Sequence, residues 1–216
     1  MTSTRVEVVY NGYEPDDYED IVKTPRRNNK RFEIVYTGTI YNIYQDPAPL
    51  FQAVKELMAE EKVGPDDLHI TFAGHKSSNL SDMAKAYGID EFFTYAGFLP
   101  RESALALQYN ADACLFLEYN NPSVKGVLTG KLFEYIYIAR EIWAIGVDDK
   151  TTSGSLIEKT KTGICFGNDV NKIKKYIINR VVDNKHCTNR ERDMSAVRQF
   201  ERKMQASKIL KIIEDI

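Results

Sequence analysis

The sequence runs to 216 residues, 43% hydrophobic and 28% charged, a balance that excludes a disordered tail or a fibrous repeat and suits one large folded domain or two small ones. Lys and Arg total 29 against 31 Asp and Glu, a net charge of −2, and the longest basic stretch is the short Arg26–Arg31 run, so electrostatic capture of nucleic acid is not the design. Cys114, Cys165 and Cys187 are odd in number and widely spaced, and His69, His75 and His186 form no i,i+4 pair. This pattern points away from a disulfide framework or a metal site and toward a reducing compartment. With no 18-residue apolar run and no cleavable signal, the expectation is a cytoplasmic protein without a transmembrane segment.

Residues 1–31 read as a linker with a short lead-in strand at Val6–Tyr10, an Asn11-Gly12 turn, and then mixed charges. From residue 32 onward, β-rich apolar runs alternate with amphipathic helices, the pattern of βαβ units around a buried parallel sheet. Phe32–Tyr36 reads as strand, and a helix follows from Asp46-Pro47 with Leu50, Ala53, Val54, Leu57 and Met58 on one face. Leu68–Ala73 is the next strand, followed by a helix from about Ser78 that stops at Gly88. Phe92–Ala96 reads as strand and Pro100–Asn110 as helix. Ala111–Leu117 is a near-continuous apolar strand that belongs at the sheet centre. A helix over about Thr129–Ala139 and a strand at Ile142–Ile145 come next. Helix, strand and helix follow at 152–161, 164–166 and 169–182, and a final helix spans about 195–214. The predicted fold is a doubly wound, Rossmann-like α/β sheet over 32–194 with a C-terminal helix within 195–216, and its ligand belongs in the loops beyond the carboxyl ends of the strands.

Three successive strands end in glycine, at Gly38, Gly74 and Gly97, as a carboxyl edge that receives a ligand closely would require; tight turns alone would also place them there. The segment Lys125–Tyr135 carries more information. A glycine-containing loop feeds a helix with Lys131 in its first turn, which sets an ammonium beside free backbone N–H groups, and Glu134 follows three residues on. The alternative is an i,i+3 surface pair, but a cation against the helix dipole asks for a negative partner. Tyr135 and Tyr137 read as packing residues rather than a stacking platform. No Ser-His-Asp order, nucleophile elbow or Walker loop is present.

These residues together resemble one family. Asn11–Pro15, Gly38–Tyr41 with Asp46-Pro47, Phe72–Gly74, Tyr95–Pro100 and above all Gly130–Tyr135 leading to Ile142–Gly146 are similar, in order, to the C-terminal half of a GT-B glycosyltransferase of family 4, also called group 1. The resemblance implies one half of a GT-B architecture that binds a nucleoside-diphosphate sugar as donor substrate, with no cofactor and no metal. Glu134 would hold the ribose hydroxyls, Lys131 would lie beside the diphosphate, and the Phe98-Leu99 loop would hold the base. Gly38, Thr39, Gly74, Lys125 and Gly130 complete the implied donor site. The chain departs from the family in two places: Gly126 stands where a second glutamate contacts the donor sugar, and no basic residue occurs from Gly38 to Asp46.

The resemblance also implies an N-terminal acceptor-binding domain outside this chain, which supplies part of the catalytic machinery and any membrane association. By itself the chain is expected to bind donor with little or no transfer. The implied reaction is metal-independent and retaining. Competing readings are the corresponding half of a nucleotide-sugar epimerase and a noncatalytic α/β interaction module with a degenerate donor site.

Overall fold

The alternation of apolar strands and amphipathic helices assembles, in the computed structural model, into one six-stranded sheet; residues 6–41, 44–75, 80–121, 126–182 and 191–214 are described. The strands are β1 (Phe32–Thr37), β2 (Leu68–Ala73), β3 (Phe93–Gly97), β4 (Ala113–Leu117), β5 (Ile142–Ile145) and β6 (Gly163–Gly167). They pair in the order β3-β2-β1-β4-β5-β6, every pair parallel. This is the doubly wound order, with its switch point between β1 and β4. The helices are α1 (Glu19–Val22), α2 (Ala48–Ala59), α3 (Leu80–Tyr87), α4 (Arg101–Asn110), α5 (Gly130–Ile138), α6 (Thr152–Thr160), α7 (Val170–Ile177), α8 (Met194–Arg198) and α9 (Arg202–Glu214).

Each face of the sheet has its own core. On one face Leu50, Phe51, Val54 and Leu57 of α2 and Ile173 and Ile177 of α7 pack on Ile34, Ile70, Leu115 and Trp143. On the other, Leu132, Phe133 and Ile136 of α5 and Leu156 and Ile157 of α6 pack on Cys114, Phe116, Ile142 and Ala144. Successive residues of β4 and β5 thus serve opposite faces, and each fully buried large side chain contributes about 1.5–3 kcal/mol. No helix among the described residues is long and apolar enough to cross a membrane.

The ends of the chain differ from the sequence expectation. Val6–Tyr10 forms no strand, and Val6 and Val8 are 82% and 62% exposed: apolar alternation makes a strand only where a sheet edge pairs with it. Residues 11–31 instead lie against the domain, with Tyr13 and Tyr18 buried at 1% and 2% exposure. Arg26 spans the ends of two helices, donating to Tyr109 O of α4 and Ile138 O just at the end of α5, which satisfies carbonyls that a helix terminus leaves free. The expected 195–214 helix is two helices. Tyr13 N donates to Phe200 O and Arg202 N donates to Tyr13 O, both at 2.9 Å, which draws these groups out of the helical ladder and breaks it at Gln199–Glu201. Beyond the break, α9 buries only Gln205 and leaves Met204, Ile209, Leu210 and Ile213 exposed. The 169–182 helix runs as α7 and then widens into a π-helical turn at Ile178–Val182.

Candidate functional site

Among the described residues, hollows lie at both ends of the sheet's strands. A groove of about 1490 Å³ lies at the amino ends of the strands, between Arg26, Arg140, Arg180 and Arg192. Its guanidinium groups are already engaged: Arg26 and Arg192 by helix-end carbonyls, Arg140 by Asp112 at 2.9 Å, and Arg180 by Glu141 at 3.2 Å. At the opposite edge, beyond the carboxyl ends of β1, β2 and β3, lies a cavity of about 330 Å³. This is the edge where a doubly wound sheet receives ligands.

Three loops and two helices build the cavity. The β1 and β2 loops touch through their backbones: a Cβ at Gly74 would lie 2.1 Å from the Gly38 carbonyl oxygen, so no side chain fits there. Gly38 itself adopts φ +112°, and a Cβ there would meet Cε and Nζ of Lys131 at 3.0 Å. The loop after β3 contributes Phe98 and Leu99, with Phe98 66% exposed and its ring 4.7 Å from that of His75.

The fourth wall is the start of α5. Thr129 occupies the N-cap with extended backbone but makes no side-chain cap, so among the described residues the first N–H groups of α5 receive no capping side chain, and Leu132 N donates to the Thr129 carbonyl at 3.1 Å. Lys131 lies under the glycine loops with Nζ 3.6 Å from the centroid of the Tyr36 ring. Burial pushes its ammonium down to about 7, against the pull of Glu134. Tyr36 in turn donates its hydroxyl to Thr39 O at 2.9 Å and shapes the β1 loop.

The wall opposite α5 is α4, whose Arg101, Ala104, Leu105 and Gln108 recur at i, i+3, i+4 and i+7 and so face the cavity. Gln108 is 2% exposed; its Nε2 donates to Thr37 Oγ1 at 2.8 Å and to Glu134 Oε2 at 3.5 Å, while Oε1 is buried with no hydrogen-bond partner among the described residues. Thr37 is held from the other side by the Tyr135 hydroxyl, which accepts from Thr37 N at 3.1 Å and which burial keeps neutral. Arg101 forms an ion pair with Glu134 at 3.2 Å and a second with Asp17 at 3.0 Å.

Gly38, Gly74, Phe98, Leu99, Lys131 and Glu134, all named from the sequence, thus line one cavity. Gly130 opens α5 beside it, exposed and outside the lining, and Thr39 is exposed on the loop above. Lys125 lies outside the described residues. Sequence reasoning missed Thr37, His75, Arg101 and Gln108. The signal for the α4 residues was a cation opening a helix and a glutamine on its apolar face seven residues later.

No protein-family profile matches the sequence, and no curated protein matches it. Solved structures do. A sucrose-phosphate synthase from Thermosynechococcus elongatus is similar over 99% of this chain and 53% of its own, with TM-score 0.60 and 14% identity. An α,α-trehalose-phosphate synthase (UDP-forming) from Burkholderia vietnamiensis is similar over 95% and 51%, with TM-score 0.66 and 8% identity. A protein from Listeria monocytogenes assigned as a UDP-N-acetylglucosamine 2-epimerase is similar over 94% and 47%, with TM-score 0.51 and 15% identity. The chain spans about half the length of these structures. At such identities the likeness concerns the fold, and the fold is the one that the sequence resemblance implied: a doubly wound, Rossmann-like half of the GT-B architecture.

Proposed function

We propose that the cavity binds the nucleoside diphosphate of a nucleotide sugar and that the chain is the donor-binding half of a glycosyltransferase. The observation that carries this reading is the start of α5, where no side chain among the described residues caps the helix and the buried Lys131 ammonium and the Glu134 carboxylate line one cavity with two touching glycine loops. N–H groups and an ammonium in low dielectric suit a diphosphate. A carboxylate one helical turn further accepts hydroxyl hydrogen bonds, as a ribose diol supplies. Phe98 offers an exposed ring for a base.

In this reading the α5 N-terminus and Lys131 stabilise the departing diphosphate without a metal, and a second α/β domain carries the acceptor and the remaining catalytic groups. The apolar residues that α9 leaves exposed give that domain a surface to cover. The chain alone then binds donor and transfers little or no sugar. The name of the Burkholderia protein, UDP-forming, supports uridine diphosphate as the first nucleotide to try.

Calorimetric titration with UDP, GDP and ADP and their sugar conjugates tests the reading. The expected result is saturable binding of one nucleotide, weakened by at least about 1 kcal/mol in both Glu134→Ala and Lys131→Ala, the scale of a lost charge-assisted hydrogen bond. No binding of any nucleotide by the wild type would favour the noncatalytic module. The likeness to the Listeria protein supports a second reading, half of an epimerase, which product analysis with and without a sugar acceptor separates from transfer once a partner domain is supplied.

A further inference from the structure

Arg101 opens α4 with a positive charge at the end of the helix where the dipole disfavours it, and two carboxylates hold it there. Nη1 donates to Glu134 Oε1 at 3.2 Å, and Nη2 donates to Asp17 Oδ2 at 3.0 Å in the 3-10 turn Pro15–Tyr18. The other oxygen of Glu134 faces Gln108 Nε2 at 3.5 Å, so both oxygens carry a protein donor. The two donors differ in freedom. Gln108 is buried and pinned to Thr37, whereas the Arg101 side chain is 57% exposed and already shares its second nitrogen with Asp17. Each oxygen keeps a second lone pair, so a ligand hydroxyl that donates to Glu134 either joins a protein donor or displaces one, and the donor free to be displaced is Arg101 rather than Gln108.

We propose that Arg101 is a positioning residue that competes with the ligand: it occupies Glu134 in the free protein and falls back on Asp17 when a ribose diol takes the carboxylate. This rests on the reading of the cavity as a nucleotide site. Its consequence is that the occupied and empty sites differ in how α4 is tied to the segment at residues 15–18. Exposed ion pairs are weak, so the competition lowers nucleotide affinity by only about two- to fivefold. Charge sets the sign at each end. Without Arg101 the carboxylate is open to the ligand; without the Asp17 charge the guanidinium keeps Glu134 as its one ion-pair partner among the described residues and holds it harder.

The test is calorimetric titration of wild type, Arg101→Gln, Asp17→Asn and the double variant with UDP, GDP and ADP, and with the 2′,3′-dideoxy form of whichever binds. The expected result is that Arg101→Gln binds two- to fivefold tighter, Asp17→Asn binds more weakly than wild type, and the double variant follows Arg101→Gln. The gain from Arg101→Gln should vanish with the dideoxy nucleotide, which has no diol to compete for the carboxylate; a merely structural role would leave that difference unmoved. Weaker or unchanged binding by Arg101→Gln, or a gain that persists with the dideoxy nucleotide, overturns the proposal. If the wild type binds and Glu134→Ala weakens it while Arg101→Gln gives no gain, only the competition falls. If neither wild type nor Arg101→Gln binds any nucleotide, the reading of the cavity falls with it.

Discussion

The starts of α5 and α6 sit at the same edge of the same sheet and are built in opposite ways. At α6 the chain closes its own helix: Thr151 Oγ1 accepts from Gly154 N at 3.0 Å, Ser153 donates to the buried Glu118 at the end of β4, and a Cβ at Gly154 would lie 1.8 Å from Asp148 O. Burial pushes the Glu118 carboxyl up, against the Ser153 hydrogen bond. At α5 the Thr129 side chain makes no cap, no described residue lies within 4 Å of a Cβ at Gly130, and a lysine stands where the dipole disfavours it. Both helices begin with a threonine at the N-cap and a glycine in the first turn. What differs is whether a side chain takes up the donor groups: Thr151 does so at α6, whereas at α5, among the described residues, only Leu132 N is engaged, by the Thr129 carbonyl at 3.1 Å. A helix start satisfied by its own residues is a structural joint; one left open beside a cavity has donors to give to an anion.

The largest expected effect breaks the joint. Gly154→Ala drives a Cβ into backbone that no rotamer relieves, and a loss of about 1–3 kcal/mol or more in chemical denaturation is expected, with nucleotide affinity of the folded protein unchanged. Next is Lys131→Met at the open start. It should weaken nucleotide binding tenfold or more through a lost charge-assisted contact while raising stability, because it removes an ammonium that burial disfavours.

The pH dependence of that gain has a defined sign. The folded-state value near 7 lies below the unfolded one, so the unfolded chain binds more protons between the two, and wild-type stability rises as pH climbs from about 7 toward the normal lysine range. The advantage of Lys131→Met is therefore largest below pH 7 and shrinks above it. Ligand binding carries the opposite trend: an anion beside Nζ favours the ammonium, so affinity should fall as pH rises past about 7. A UDP-sugar, whose diphosphate diester does not titrate there, isolates the lysine. Flat affinity from pH 6 to 9 would place the diphosphate away from Nζ.

A smaller effect converts one start into the other. Thr129 already has the extended backbone of an N-cap, so Thr129→Asp supplies the missing cap, and a gain of about 1 kcal/mol in stability is expected together with weaker nucleotide binding, since a carboxylate then holds the N–H groups. Stability gained with affinity intact would show that the ligand does not use this helix end.

Part of this contrast was legible in the sequence. The 3.6-residue and near-continuous apolar patterns place the strands and helices because each reports which face of an element is buried, a local property. Lys131 and Glu134 were found for the same reason: they share one turn of one helix. Arg101 was not, because its partners Glu134 and Asp17 lie on other elements, 33 and 84 residues away, and only folding brings them together. The break between α8 and α9 was hidden likewise. Phe200 and Arg202 continue a helical pattern, and Tyr13, at the other end of the chain, takes their backbone groups. Val6–Tyr10 failed in the reverse direction, since its alternation is strand-like and no partner strand lies beside it among the described residues.

Gly130→Ala gives the smallest expected effect and the sharpest division between the two starts. Glycine costs roughly 0.5–1 kcal/mol relative to alanine within a helix, and nothing in the free structure needs glycine at 130, so packing alone predicts unchanged or slightly raised stability. A ligand that approaches the first turn closely meets the new methyl group. The expected outcome is therefore a thermal midpoint equal to or above wild type, with nucleotide affinity lower by a few fold. Unchanged affinity would mean that the diphosphate lies over the Gly38–Gly74 contact and Lys131 rather than over the α5 backbone, leaving Lys131 as the main anion contact of the site.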